Sequence, residues 1–340
     1  MVTALRGMFS GKPVAALLAT ALLTLGGCQS FPPPQSASVH TDQQVVVPFV
    51  PQDAYQCGPA ALAMMLQWAG KEVSADALVD EVWLPERKGS LGIELRAAAR
   101  SRGLMAYPVE SADALFQELQ ANRPVLVMQN LALPRWPKWH FAVVTGYRDQ
   151  GDTVVLHSGT TQSDSSHWNR FIRTWARADQ WGFTLVEAGQ LPASAEPNAL
   201  FRAISPLPNS AAFWPAAVEA FPQSGQLWFG YGNALWAQGK QEDARVAFEN
   251  AVQHEPELAA AWNNLAYAQK AAGDSKKARQ SICQALSVAP GDSEIQDSAR
   301  ELGAQSCAVS PAPSAPSALS TPSAPASPSS AASSGCCATN

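Results

Sequence analysis

The stretch QDAYQCGPAALAMMLQW, from Gln52 to Trp68, decides how the first half of the chain is read. It is apolar and helix-forming from Pro59 to Ala69, yet it opens on a cysteine, a glycine and a proline, with a glutamine just upstream. A thiol is a weak nucleophile until it ionises. A cysteine at a helix N-terminus faces the positive end of the macrodipole and the first-turn N–H groups, and both favour the thiolate. Gly58 lets a substrate backbone approach closely, and Pro59 suits a first turn in which no N–H is required. Ala61, Leu62, Met65 and Leu66 share one face, which would fix the helix and so aim the sulfur. A lone cysteine at such a place is otherwise ordinary packing, so its neighbours matter.

Those neighbours favour chemistry. Gln52 can direct its amide N–H at an oxyanion beside the Cys57 sulfur. His140 opens the apolar run HFAVVTGY after the loop LPRWPKW, so its imidazole sits at a strand start where it can serve as base. Glutamine, cysteine, then a strand-borne histidine is the papain-like order.

Periodicity and capping signals predict helices over Pro59–Ala69, Ser74–Val82 with Ser74 as N-cap, Leu91–Arg102 and Ser111–Asn122. Strands are predicted at PVLVMQ from Pro124, HFAVVTGY from His140, TVVLH from Thr153 and WGFTLVEA from Trp181. Helices first and strands afterwards imply an α+β domain over residues 45–189.

VPFVPQDAYQCGPAALAMML followed by WHFAVVTGY resembles the bacteriocin-processing (double-glycine leader) cysteine peptidases, a papain-like group, and their stand-alone relatives in lipoproteins with a tetratricopeptide tail. The resemblance implies a peptide or protein substrate, hydrolysed with Cys57 as nucleophile, His140 as base and Gln52 in the oxyanion hole. In that family an Asp or Asn on the strand after the histidine strand orients the imidazole. Here that stretch reads VVLHSGTTQ, which puts His157 or Ser158 at the place and no carboxylate. His157 is the preferred orienter, with Asp152 and Asp164 as the alternatives. The missing carboxylate also motivates a rival reading, an inactive peptidase-like fold that binds peptides or serves as an assembly scaffold. His157, Asp164 and His167 match no zinc spacing, so neither a metal nor a cofactor is expected. Of Trp136, Trp139, Trp168, Trp175 and Trp181, most are expected to pack in the core.

From residue 198 to 305 a repeat sets in. Trp228 pairs with Trp262, Gly239 with Gly273, Ala244 with Ala278, Ala251 with Ala285 and Pro256 with Pro290, always 34 positions apart. This resembles tetratricopeptide repeats, an all-α domain with clear units at 225–258 and 259–292. Trp214, Ala217 and Pro222 keep the register and suggest a degenerate first unit, and Ser293–Leu302 a capping helix. A concave helical surface of this kind suits a protein or peptide partner. In an oxidising compartment a Cys283–Cys307 bridge is possible, and the sequence leaves that pairing open.

The termini give the address. Arg6 and Lys12 precede an apolar run from Pro13 to Leu25 that ends in LGGC, with Cys28 last. This resembles a bacterial lipoprotein signal, which implies lipidation of Cys28 and membrane attachment through that anchor. Gln29 at the next position implies the outer membrane. Residues 29–44 read as a tether. The Ser/Ala/Pro-rich residues 306–340 are predicted to be disordered. The 340 residues, 46% hydrophobic with a net charge of -5, have the length for about two domains and no basic field for nucleic acid.

Overall fold

The computed structural model describes residues 32–34, 42–52, 56–304 and 307. Cys28 and most of the tether and tail lie outside the described residues.

The first half is built on an antiparallel sheet. Strands β1 (Gln43–Gln44), β4 (Met105–Pro108), β5 (Val125–Asn130), β6 (Trp139–Arg148), β7 (Thr153–Ser158), β8 (Thr161–His167) and β9 (Gly182–Val186) run in the order β4-β9-β5-β6-β7-β8. β1 pairs with the far end of β6, Gln43 opposite Tyr147. A separate hairpin joins β2 (Trp83–Leu84) to β3 (Gly89–Ser90). β5 and β6 supply the sheet's interior because Val125–Val127 and Phe141–Tyr147 are buried on both faces, which is why they read as continuous apolar runs.

Helices α1 (Cys57–Trp68), α2 (Ala75–Val82), α3 (Gly92–Ser101) and α4 (Ala112–Gln120) precede the main strands. Ser74 and Ser111 cap α2 and α4, their hydroxyls accepting from Ala77 and Ala114 N–H. α1 differs from the expected one-faced helix: every residue from Cys57 to Leu66 is buried. It packs against β6 on one side and against α2 and α3 on the others, so no face is left for solvent. Two further elements had no clear signal, β8 and α5 (Trp168–Ala176). β8 is almost wholly exposed, TQSDSSH, and holds its place by pairing with β7 rather than by apolar burial. α5 buries Trp168 and Trp175, in line with core packing for those two.

The repeat half packs pairwise. α6 (Pro197–Ile204) and α7 (Trp214–Ala220) are followed by α8 (Gly225–Ala237), α9 (Gln241–His254), α10 (Ala259–Ala271), α11 (Ser275–Val288) and α12 (Ser293–Glu301). The 34-residue register has a physical expression at each unit. Trp228 Nε1 donates to Pro222 O at 2.9 Å and Trp262 Nε1 to Pro256 O at 2.8 Å. In the capping helix Gln296 Nε2 makes the same bond to Pro290 O at 2.8 Å, so a glutamine amide substitutes for the indole. Pro215 is compatible with the degenerate unit because it lies in the first turn of α7. Cys283 and Cys307 form a disulfide, which ties Cys307 to α11.

The two halves share a core. Met105, Tyr107 and Val186 at the β4–β9 edge pack with Leu200, Ile204, Phe213, Trp214 and Leu227 of the repeat half. The connecting segment is fastened there too. Glu118, fully buried, accepts from Ser194 N–H at 2.7 Å and from the Ser194 hydroxyl at 2.6 Å, with Arg123 at 3.7 Å on its other oxygen. Tyr107 donates to Ser194 O at 2.8 Å and accepts from Glu196 N–H at 3.0 Å. Burial pushes the Tyr107 pKa up to about 12, so the phenol keeps the proton that the first of these bonds requires.

Candidate active site

Cys57 is the first helical residue of α1, and the helix has no side-chain N-cap, since Gln56 precedes it without such a bond. The positive end of the α1 macrodipole thus lies at Cys57. Cys57 is buried and forms no disulfide. Gly58 has a different reason from the one expected. A Cβ there would lie 2.3 Å from Ser90 Oγ, so the glycine admits the Ser90 side chain of β3 against the first turn, not a substrate backbone. The Ser90 hydroxyl is itself buried without a hydrogen-bond partner. Pro59 sits in the first turn as expected.

His140 opens the second position of β6, opposite Gln129 of β5, and is 6% exposed. Its Nε2 lies 2.8 Å from Ser158 Oγ. Ser158, not the preferred His157, is the residue brought to the imidazole. The reason is register. β6 and β7 pair Val143 with His157 and Val144 with Leu156, and side chains alternate faces along a strand. His140, Val144, Leu156 and Ser158 therefore share one face, and His157 projects from the other.

His157 has a separate task. Its Nδ1 accepts from Ser163 N–H at 3.1 Å, which fixes the tautomer, so Nε2 carries the proton and donates to Val47 O at 3.1 Å. Phe49 stacks edge-on at 5.3 Å between centroids. The ring thus pins the segment before α1 to β7 and β8. Burial holds its pKa below the ordinary histidine value, with the bond to Val47 opposing that shift. The neutral form is the one folding favours. Protonation opposes folding, and stability is expected to fall as pH drops below about 6.5. Denaturant melts of wild type and His157→Gln across pH 7 to 5 check this, the loss being smaller in the variant.

The other orienter candidates are excluded by position. Asp152 precedes β7 at the end opposite Ser158, about 20 Å along the strand at ~3.3 Å per residue. Asp164 lies on the exposed strand β8, opposite Leu156. Gln52 joins the site's end of the sheet: its N–H donates to Gly159 O at 3.2 Å, one residue past Ser158. The Gln52 main chain is thus bonded to the residue after Ser158, whose hydroxyl meets His140, and Cys57 follows Gln52 by five residues. His167 instead caps α5, accepting from Asn169 N–H. Among the described residues no group of three His, Cys, Asp or Glu converges as a metal site would require.

Ser158 was visible in the sequence as an occupant of the place, and the alternation rule applied to VVLHS was the signal that separates it from its neighbour. Ser90 gave no signal, because contact with Gly58 joins residues 32 positions apart.

Comparison with known proteins identifies the two halves of the chain. Residues 44–182 match the family model described as the Peptidase_C39 like family. Residues 210–254 and 235–302 match tetratricopeptide repeat models. Among solved structures, the chain is similar to a double glycine motif protease from an AMS/PCAT transporter in complex with the leader peptide. The identity is 21%, covering 43% of this chain and 97% of that one, with a TM-score of 0.31. It is also similar to the peptidase domain of Streptococcus ComA, a bi-functional ABC transporter, at 20% identity over 43% and 98%, TM-score 0.33. The repeat half is similar to the TPR2B domain of yeast Sti1 in a complex with pHsp70, at 20% identity over 29% and 83%, TM-score 0.27. No curated protein matches the chain. The chain thus carries an α+β Peptidase_C39-like domain followed by a helical tetratricopeptide repeat region.

Proposed function

We propose that the chain is a cell-envelope cysteine peptidase, anchored to a membrane, most simply the outer one, through lipid on Cys28. The observation that supports the chemistry is the 2.8 Å bond to Ser158 from Nε2 of His140, whose strand β6 packs against the helix that Cys57 begins. With Nε2 committed to Ser158, Nδ1 of His140 is the nitrogen that exchanges protons with the Cys57 sulfur. The thiolate attacks the scissile carbonyl, and the carbon–sulfur bond forms as the carbonyl oxygen becomes an oxyanion. Gln52 and the Cys57 N–H stabilise that oxyanion. Imidazolium returns its proton to the leaving amine as the peptide bond breaks, and water, deprotonated by His140, clears the acyl-enzyme.

Ser158 is a positioning residue in this scheme. Its hydroxyl fixes the ring but brings no negative charge, so it stabilises imidazolium less than a carboxylate does. A thiol tolerates this because sulfur ionises more readily than a serine hydroxyl. One neutral hydrogen bond contributes about 1 kcal/mol, so Ser158→Ala is expected to lower kcat about fivefold with KM little changed. Ser158→Asn, which keeps a hydrogen-bonding group at the place, should recover most of it in the same assay.

The LGGC motif supports the anchor, and the repeats would hold a protein partner or present an extended substrate. Comparing peptide termini in envelope fractions from cells with wild-type protein and with Cys57→Ala tests the reaction. Termini that depend on Cys57 are expected. Identical sets under several growth conditions would remove the peptidase reading.

A further inference from the structure

The turn between β5 and β6 holds large apolar side chains out in solvent. Leu131, Leu133 and Trp136 are 45%, 65% and 73% exposed. The turn is stiff, so this exposure is built in. Asn130, itself buried, accepts at Oδ1 from Ala132 and Lys138 N–H, both at 3.0 Å. Leu131 N–H donates to Lys138 O at 2.9 Å and Trp136 N–H to Leu133 O at 3.1 Å. From the body of the domain, Arg177 donates to Asn130 O through Nε at 3.1 Å and Nη2 at 2.8 Å. Pro134 and Pro137 restrict the remaining backbone.

The charge along this segment of the chain is one-signed. Arg135 and Lys138 flank Trp136, and no carboxylate residue lies between Glu118 and Asp149, although the whole chain carries a net charge of -5. An indole and leucines at the tip with cations beside them match the chemistry of a bilayer's interface, where apolar groups enter at headgroup depth and Lys or Arg meet anionic lipid.

We propose that the tip formed by Leu131, Leu133 and Trp136 inserts into the headgroup layer of an anionic phospholipid bilayer. The turn springs from the strand ends where Gln129 pairs with His140, so insertion presents the His140–Ser158 end of the sheet to the membrane surface. This deepens the envelope reading above and rests on it: lipid on Cys28 supplies attachment, and the tip sets orientation. The substrates reached are then membrane-proximal segments.

The test uses the chain from Gln29 onward, which contains every described element and lacks Cys28, so that failure of the tip and failure of the anchor are seen separately. Flotation with vesicles of phosphatidylethanolamine and phosphatidylglycerol is compared with phosphatidylcholine alone. The chain is expected to float with the anionic vesicles. Trp136→Ser should lower its partition about tenfold, and Arg135→Ala about fivefold with a weaker salt dependence. Absence of flotation, or flotation of Trp136→Ser equal to wild type, overturns the proposal. So does a Trp136→Ser variant that floats normally but loses cleavage of a soluble peptide, since the tip would then serve the substrate. Incorporation of a palmitate analogue into the full-length chain in cells, lost in Cys28→Ala, reads the anchor independently.

Discussion

Replacing His140 by alanine is expected to lower the turnover of a cleaved peptide by about 10³-fold or more, and Cys57→Ala to reduce it to the level left by binding alone. The double variant should be no slower than Cys57→Ala. The two groups act as a unit, so removing either leaves the other without its proton partner, and the losses do not add. Both substitutions keep the backbone, and Cys57 contributes one small side chain to a helix buried from Cys57 to Leu66, so the fold is expected to survive. Steady-state kinetics on a peptide identified by its Cys57-dependent terminus, with circular dichroism as control, would check this. Additive losses would mean that His140 acts on some step other than sulfur ionisation.

Trp214→Ala carries the largest expected effect on stability. The indole is 1% exposed in the core shared by the two halves, 5.9 Å from the Phe201 ring. It lies against the backbone of α8: a Cβ at Gly230 would fall 2.3 Å from it. Truncating a buried tryptophan costs about 3 to 5 kcal/mol through lost burial and the cavity that remains. At a junction the loss is also one of cooperativity, because Met105, Tyr107 and Val186 of the sheet lose their packing on the repeats. Calorimetry is expected to show one transition in wild type and, in Trp214→Ala, an earlier melt of the repeat half separated from that of the sheet. Gly230→Ala should act in the same direction by forcing the indole out. A single unshifted transition in both would show that the Trp214 indole does not hold the two halves together.

Much of the fold could be read from the chain because its determinants are local or periodic. Ser74 and Ser111 announce their helices, and the recurrence of Trp228 at Trp262 announces the repeats. What was not legible depends on contacts between distant residues. β8 has no apolar alternation of its own and exists because β7 offers it a partner. Gly58 looked like an opening for substrate, and only the packing of β3 shows that Ser90 fills the space. His157 is the preferred orienter by residue type because an imidazole nitrogen, like the missing carboxylate, can accept a hydrogen bond. The strand register turned it to the opposite face, where it binds Val47 and Ser163, and left the orienting place to a serine. Residue type pointed one way and geometry the other.

The proposed reaction requires a Cys57 sulfur ionised at neutral pH by its place at the head of α1 and by His140. The direct measurement is the thiolate ultraviolet absorbance of the full chain against pH, with the Cys57→Ala trace subtracted so that the other cysteines cancel. A midpoint well below the ordinary thiol value of about 8.5 is expected, moving up towards it in His140→Ala. A midpoint at or above about 8.5 that does not move when His140 is removed would contradict it.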